Sequence, residues 1–135
     1  MNYSTLYDVA ALLFRLYVGY YFIPQGWRKI INGREEWLWL GQQMGNFGIH
    51  FAPIFWGLAA TAAEFLGGIL LLFGFCTRLA SPFLAFTMLV AATMHIKNRD
   101  PWDWYAWPIA YIVGFMTLAI FGAGMYSVDY WLWNK

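Results

Sequence analysis

Charged residues are scarce in this chain, which has only eight Lys and Arg and seven Asp and Glu among 135 residues, or 11%. A soluble domain usually carries about a quarter charged residues. The formal net charge of +1 offers no basic surface of the kind that nucleic-acid binding requires. The composition therefore argues against an ordinary soluble domain and against a nucleic-acid partner, and it indicates a chain whose solvent is lipid.

Cysteine and histidine are equally rare. The single Cys76 excludes an intramolecular disulfide and any CxxC redox or metal motif. It is best explained as a small apolar residue at a helix end, although pairing between two chains stays open. The two histidines have no ordered spacing with carboxylates, so no metal or haem site is expected. The first eight residues lack a basic n-region, and no cleavable signal peptide is expected.

Apolar and aromatic residues dominate instead, at 61% and 22% of the chain, with a mean hydropathy of +0.51. A membrane core about 30 Å thick needs roughly 20 apolar residues as helix. Four such segments are predicted to span the membrane, at about residues 6–25, 52–74, 79–96 and 105–123. The expected fold is all-α: one transmembrane domain over residues 1–135, a multi-pass four-helix bundle. Pro24 is expected to kink or end the first helix.

The segment between the first two spans, residues 36–50, is too polar to cross a membrane. Trp37, Leu40, Gly41 and Met44 would share one side of a short helix. This pattern predicts a segment in the membrane interface, between helices 1 and 2 of the bundle. Its second half is rich in glycine and should be irregular.

Two charges lie inside the predicted spans, Arg15 in the first and Glu64 in the second. A charge in hydrocarbon is costly unless it is paired. Because consecutive spans run antiparallel, the midpoints of both should lie at similar depth, and an Arg15–Glu64 ion pair is predicted. Such a pair is equally well explained as a bridge that sets helix register or as the polar floor of a ligand or proton site.

Near one membrane face the alternation of spans gathers Gln25, Lys29 and His95. A histidine there could donate to a carbonyl or relay a proton, or it could cap polar groups at the interface. His50, in a loop, is expected at the surface. Tryptophans crowd the same face, where they form an aromatic belt or roof a flat ligand. On the opposite face, Arg78 and Asp129 are predicted to pair and tie the C-terminal tail to the bundle.

Several runs resemble the DoxX family of small four-helix membrane proteins. These are AAEFLGGILLLFGFCTRLA, MLVAATMHI and GAGMYSVD; Arg15 with Gly19 and Gly26 with Lys29 are similar to the family's first-helix pattern. The longer Trp-rich insert after the first span departs from that pattern. The resemblance covers nearly the whole chain and implies a link to thiosulfate:quinone oxidoreductase or membrane oxidoreductase assemblies, with quinone as the expected cofactor.

Three functions follow as hypotheses. The first is a membrane subunit of a quinone-linked oxidoreductase system in a bacterial or archaeal cytoplasmic membrane, with electrons supplied by a partner or a bound substrate. The second is a non-catalytic accessory subunit of a larger membrane complex, and the third, weaker one is a small-molecule transporter. The excess of Lys and Arg in the first and third loops predicts that these loops face the cytoplasm.

Overall fold

A computed structural model describes residues 2–135 of the chain. Four of its helices are long and apolar enough to cross a membrane, as the sequence predicted: α1 (Tyr3–Asn32), α3 (Pro53–Phe73), α4 (Thr77–Lys97) and α5 (Trp102–Phe121). Two shorter helices are α2 (Arg34–Gln42) and α6 (Val128–Trp133), and a 3-10 turn at Gln43–Phe47 follows α2. The described part of the chain contains no strand.

Helices α1 and α3 pack closely because α1 presents glycines where the two backbones meet. A Cβ added at Gly26 would lie 2.6 Å from the backbone nitrogen of Phe65, and one at Gly19 would lie 2.8 Å from Leu72. Small residues at such contacts let helices approach closely in lipid. The stripe of α1 formed by Arg15, Gly19, Phe22 and Gly26 is buried throughout.

Helices α4 and α5 form the second pair of the bundle. Aromatic rings fill the space between α5 and α1: Phe14 lies edge-on to Phe115 at 5.9 Å, and Tyr21 stacks on Tyr111 at 5.8 Å. The buried core lies where the four long helices meet. Its members come from α1, α3, α4 and α5 and include Val18, Phe22, Leu71, Leu84 and Phe115.

The segment between α1 and α3 is helical and packs against the first turns of α3. A Cβ at Gly41 would meet the carbonyl group of Pro53, and one at Gly57 would meet that of Trp37. Gly41 and Met44 are buried, on the side of α2 and the 3-10 turn that the sequence predicted. The turn also contacts α4, where the rings of Phe47 and Phe86 lie 6.2 Å apart.

The C-terminal tail is attached to the other end of the bundle by side chains. Asp129 accepts hydrogen bonds from the backbone amides of Cys76 and Thr77, at 2.8 and 2.9 Å. The predicted Arg78–Asp129 ion pair is wrong, since no contact between these two charges lies within 4.0 Å. Asp129 instead satisfies amides at the start of α4, where free N–H groups and the helix dipole attract a carboxylate.

Two helix ends differ from the predicted span limits. Helix α1 continues through Pro24 to Asn32, seven residues beyond Gln25. Helix α4 begins at Thr77, two residues before the predicted start at residue 79. In the second case the reason is the Asp129 carboxylate, which comes from a residue 52 positions away and supplies the cap that the local sequence lacks.

Candidate functional site

A cavity of about 870 Å³ lies between the helix pairs, towards the face of the membrane that carries His95. All four long helices, together with α2 and the 3-10 turn, contribute to its walls. The walls are mostly apolar, with a few polar side chains, as is usual for small-molecule sites. The polar and charged residues are Gln25, Arg28, Lys29, Glu36, Gln43, Glu64, Thr87 and His95.

An ion pair stands in the wall of this cavity. Lys29 Nζ donates to Glu64 Oε2 at 2.6 Å, and the two side chains are 15% and 6% exposed. Glu64 lies in the middle of α3 on the side with Gly67 and Gly68, all buried. A carboxylate at this depth requires a partner, and Lys29 supplies it.

The predicted Arg15–Glu64 pair is therefore wrong. Arg15 is 1% exposed and donates to the carbonyl oxygens of Ala123 at 2.7 Å and Tyr126 at 2.8 Å. Gly26 faces Phe65, so Glu64 lies level with the last third of α1. Arg15 is eleven residues from Gly26, or about 16 Å along the helix axis. The midpoint argument failed because α1 is 30 residues long and α3 only 21.

His95 lies in the last turn of α4 and lines the same cavity. Its Nδ1 is 2.8 Å from Asp100 Oδ2, and its ring meets Trp104 edge-on at 5.9 Å. The carboxylate orients the ring, and Nε2 is the nitrogen that remains for a ligand or a proton. The side chain is 17% exposed, which places it at the edge of the cavity.

The remaining predicted ligand residue, Gln25, also lines the cavity and accepts from Arg28 at 2.7 Å. Four of the five predicted ligand residues therefore share one cavity, and Arg15 alone is elsewhere. Whether these residues bind a ligand remains a prediction. His50 is exposed, as expected.

Trp56 is one of the tryptophans predicted to crowd the His95 face, but it was not among the predicted ligand residues. It lines the cavity, and its buried Nε1 has no hydrogen-bond partner among the described residues. A buried N–H without a partner is unfavourable. The atom has almost no surface in the cavity, so a ligand that carries an acceptor would reach it only after the indole ring turns. Two other tryptophans from the group predicted on this face, Trp39 and Trp107, also line the cavity. The unpaired N–H of Trp56 depends on packing, so the sequence placed the ring on this face but could not mark its N–H.

Across residues 2–135, no three or more His, Cys, Asp or Glu side chains are grouped to hold a metal ion. The donors in the cavity wall include the Lys29 ammonium, the His95 imidazole and the Arg28 guanidinium. These suit a ligand with carbonyl or other oxygen acceptors. The absence of a metal or haem site remains an expectation.

A sequence profile of the DoxX family matches residues 10–96. The chain belongs to the DoxX family. The match includes α1 from residue 10 onwards, the α2 segment, α3 and nearly all of α4, and therefore most of the cavity wall. The chain is a multi-pass membrane protein, as the resemblance to the family predicted.

Two curated proteins are similar to this DoxX member. The first is the "Inner membrane protein YqjF" of Escherichia coli, 34% identical over 129 residues that cover 92% of each chain. The second is named "Putative oxidoreductase CatD", from Bacillus subtilis; it is 30% identical over 95 residues, 70% of this chain and 65% of that protein. No solved structure matches.

Proposed function

We propose that this protein is a membrane component of a quinone-linked oxidoreductase system and that the cavity beside Glu64 binds the quinone ring. The observation that carries the proposal is the cavity itself. It is large enough, at about 870 Å³, for a ring with part of its chain, since drug-sized ligands occupy about 300–1,000 Å³. An accessory subunit with no ligand would be expected to have a filled bundle.

The donors fit the two carbonyl groups of a quinone. Lys29 is an N–H donor in the cavity wall and His95 a second at its edge. The unpaired Nε1 of the wall residue Trp56 becomes a third when its ring turns towards a carbonyl. Flat aromatic walls such as Trp107 and Tyr21 suit stacking on a ring. The printed name of the Bacillus relative, an oxidoreductase, supports the same class of chemistry.

Reduction of a quinone to its quinol takes up two electrons and two protons. The two electrons come from a partner redox protein or a bound reductant. Glu64 and Lys29 hold a proton beside the ring position, and the carboxylate is kept in the apolar wall by the 2.6 Å contact. His95, fixed by Asp100, carries protons between the aqueous face and the cavity.

The test is quinone binding by the purified protein, measured by titration and by mass spectrometry of what co-purifies. We expect Glu64→Gln and His95→Ala to weaken binding at least fivefold. Glu35→Gln and His50→Ala are matched controls, because both residues are exposed and neither lines the cavity. A wild-type protein that binds no quinone but purifies with a fixed protein partner would replace the proposal with the accessory-subunit function.

Trp56→Phe separates a hydrogen bond from a general effect on packing. It keeps a ring and removes the N–H, so we expect quinone affinity to fall about fivefold, the effect of one lost hydrogen bond near 1 kcal/mol. Trp102→Phe is the control, since Trp102 is 60% exposed and outside the cavity. If Trp56→Phe and Trp102→Phe bind quinone with equal affinity, the Trp56 N–H does not bind the ligand.

A further inference from the structure

The cavity reaches two different surroundings. At the end near His95 its walls are polar and include Arg28, Glu36 and Gln43. Along α4 it is lined instead by Phe83 and Phe86, which are 68% and 46% exposed. These two residues lie in the middle of a membrane-spanning helix, so their exposed surface faces acyl chains.

The gap between α3 and α4 is bounded at both ends. Towards the His95 face the 3-10 turn closes it, since Phe47 packs on Phe86 and Lys97 donates to the Asn46 carbonyl at 2.9 Å. Towards the opposite face the helices meet where Gly67 lies against Leu84, with a 3.0 Å approach for an added Cβ. Between these contacts the wall contributed by α3 consists of small side chains, Ala59, Ala60 and Ala63.

Ala59 is exposed and lines the cavity, so the interior and the lipid surface meet at this residue. The polar partners, by contrast, lie inside: the Glu64 side chain is 6% exposed and Trp56 Nε1 is fully buried. The cavity is thus polar within and apolar where it meets the bilayer. That gradient matches a molecule with an oxygen-bearing ring and a long hydrocarbon tail.

We infer that the tail of the bound quinone leaves the cavity between α3 and α4, past Ala59 and Phe86, so that the ligand exchanges directly with the bilayer. The polar end near His95 then contacts the ring and supplies protons, and it is not the route by which the ligand enters or leaves. This inference rests on the proposed function, and it adds the route and the hydrocarbon tail of the ligand. A ring that reached the site from water would have to pass the charged residues at the other end.

The route is tested on the wild-type protein in liposomes with a quinone that carries a diazirine on the second isoprenoid unit of its tail. After illumination, labelled peptides are mapped by mass spectrometry, with excess unlabelled quinone as competitor. We expect competable label within residues 55–63 of α3 and 83–90 of α4. Competable label within residues 36–43 of α2 would overturn the route and keep the proposed function. No competable label anywhere would overturn both.

A variant tests the same opening by a different measurement. Ala59→Trp places a large ring across it, and we expect affinity for a long-tailed quinone to fall at least tenfold while that for a tail-less quinone changes less than twofold. Leu66→Trp is the control, since Leu66 is 56% exposed on α3 and outside the cavity. Equal binding of the long-tailed quinone by both variants would contradict the route. A loss of both quinones in Ala59→Trp alone would place residue 59 at the ring site and also contradict it.

Discussion

Lys29 Nζ lies 2.6 Å from Glu64 Oε2, and this contact joins the end of α1 to the middle of α3 inside the bundle. Neither side chain has much access to water, at 15% and 6% exposure. Removing one member of a buried pair leaves an uncompensated charge, whereas removing both avoids that penalty.

The ion pair predicts that substitutions at Lys29 and Glu64 do not have additive effects on the free energy of unfolding. We expect Lys29→Met to lower the free energy of unfolding by about 3–5 kcal/mol, because Glu64 loses its partner. Lys29→Met combined with Glu64→Gln should recover at least half of that loss. The measurement is denaturant or thermal unfolding in one detergent, followed by circular dichroism. A double variant as unstable as the sum of the single ones would show that the two charges are not coupled.

Arg15 predicts the behaviour of the C-terminal loop. It donates to Ala123 and Tyr126, while Tyr7 donates to the Gly122 carbonyl at 2.6 Å. We expect Arg15→Met to cost about 3 kcal/mol, since hydrogen bonds from a charged group contribute about 1.5–3 kcal/mol each. Amide exchange over residues 122–129 should accelerate.

Arg34→Met is the control for that experiment, because Arg34 is exposed. If the loop exchanges at the wild-type rate in Arg15→Met, the guanidinium does not hold it. Slower amide exchange near Glu64 in the same variant would indicate that Arg15 and Glu64 are coupled across the bundle, although they are not in contact.

Asp129 predicts how α4 begins. Its two oxygens accept from Cys76 and Thr77, so Asp129→Ala should expose these amides and cost about 0.5–2 kcal/mol, the usual loss for a helix cap. Hydrogen exchange at residues 76–80 is the measurement. Asp103→Ala serves as control, since Asp103 is exposed in the first turn of α5. Unchanged exchange at residues 76–80 would mean that α4 needs no cap from the tail.

Gly26 predicts a steric limit on the α1–α3 contact. A methyl group there would lie 2.6 Å from the Phe65 backbone, which cannot move aside as a side chain can. We expect Gly26→Ala to destabilise the bundle by about 1–3 kcal/mol, the range for overpacking, and to disturb the Lys29–Glu64 contact one turn away. Ala10→Val, at an exposed position of the same helix, should have little effect. The measurement is thermal unfolding of the two variants, and equal unfolding temperatures would contradict the steric limit at Gly26.

The orientation in the membrane gives a further test. Arg28, Lys29, Arg34, Lys97 and Arg99 lie at the His95 end, which the positive-inside rule assigns to the cytoplasm. In a Cys76→Ser background, Asn98→Cys should react with a membrane-impermeant thiol reagent only after the cells are opened. Asn98 is exposed and suits this use. Labelling of intact cells at residue 98 would reverse the orientation.

The elements that the sequence predicted well are those decided by local composition. Four apolar segments require four helices because lipid cannot satisfy open backbone groups, and the small residues of α1 and α3 mark the faces that pack. The inner position of Glu64 followed from the cost of charge in hydrocarbon. Gln25, Lys29, Glu64 and His95 were predicted as ligand residues, and the structure places all four around one cavity.

The sequence alone determined that this chain is an all-helical membrane protein with charged residues inside its bundle. Only the tertiary structure decided which charges meet, because pairing depends on the relative shift of two helices and not on their midpoints. Arg15 and Glu64 are separated by the extension of α1 to Asn32, so Lys29 takes the place predicted for Arg15. In the same way, Asp129 accepts hydrogen bonds from amides at the start of α4 and does not pair with Arg78. Free amides at a helix end attract a carboxylate, however far away along the chain that carboxylate lies.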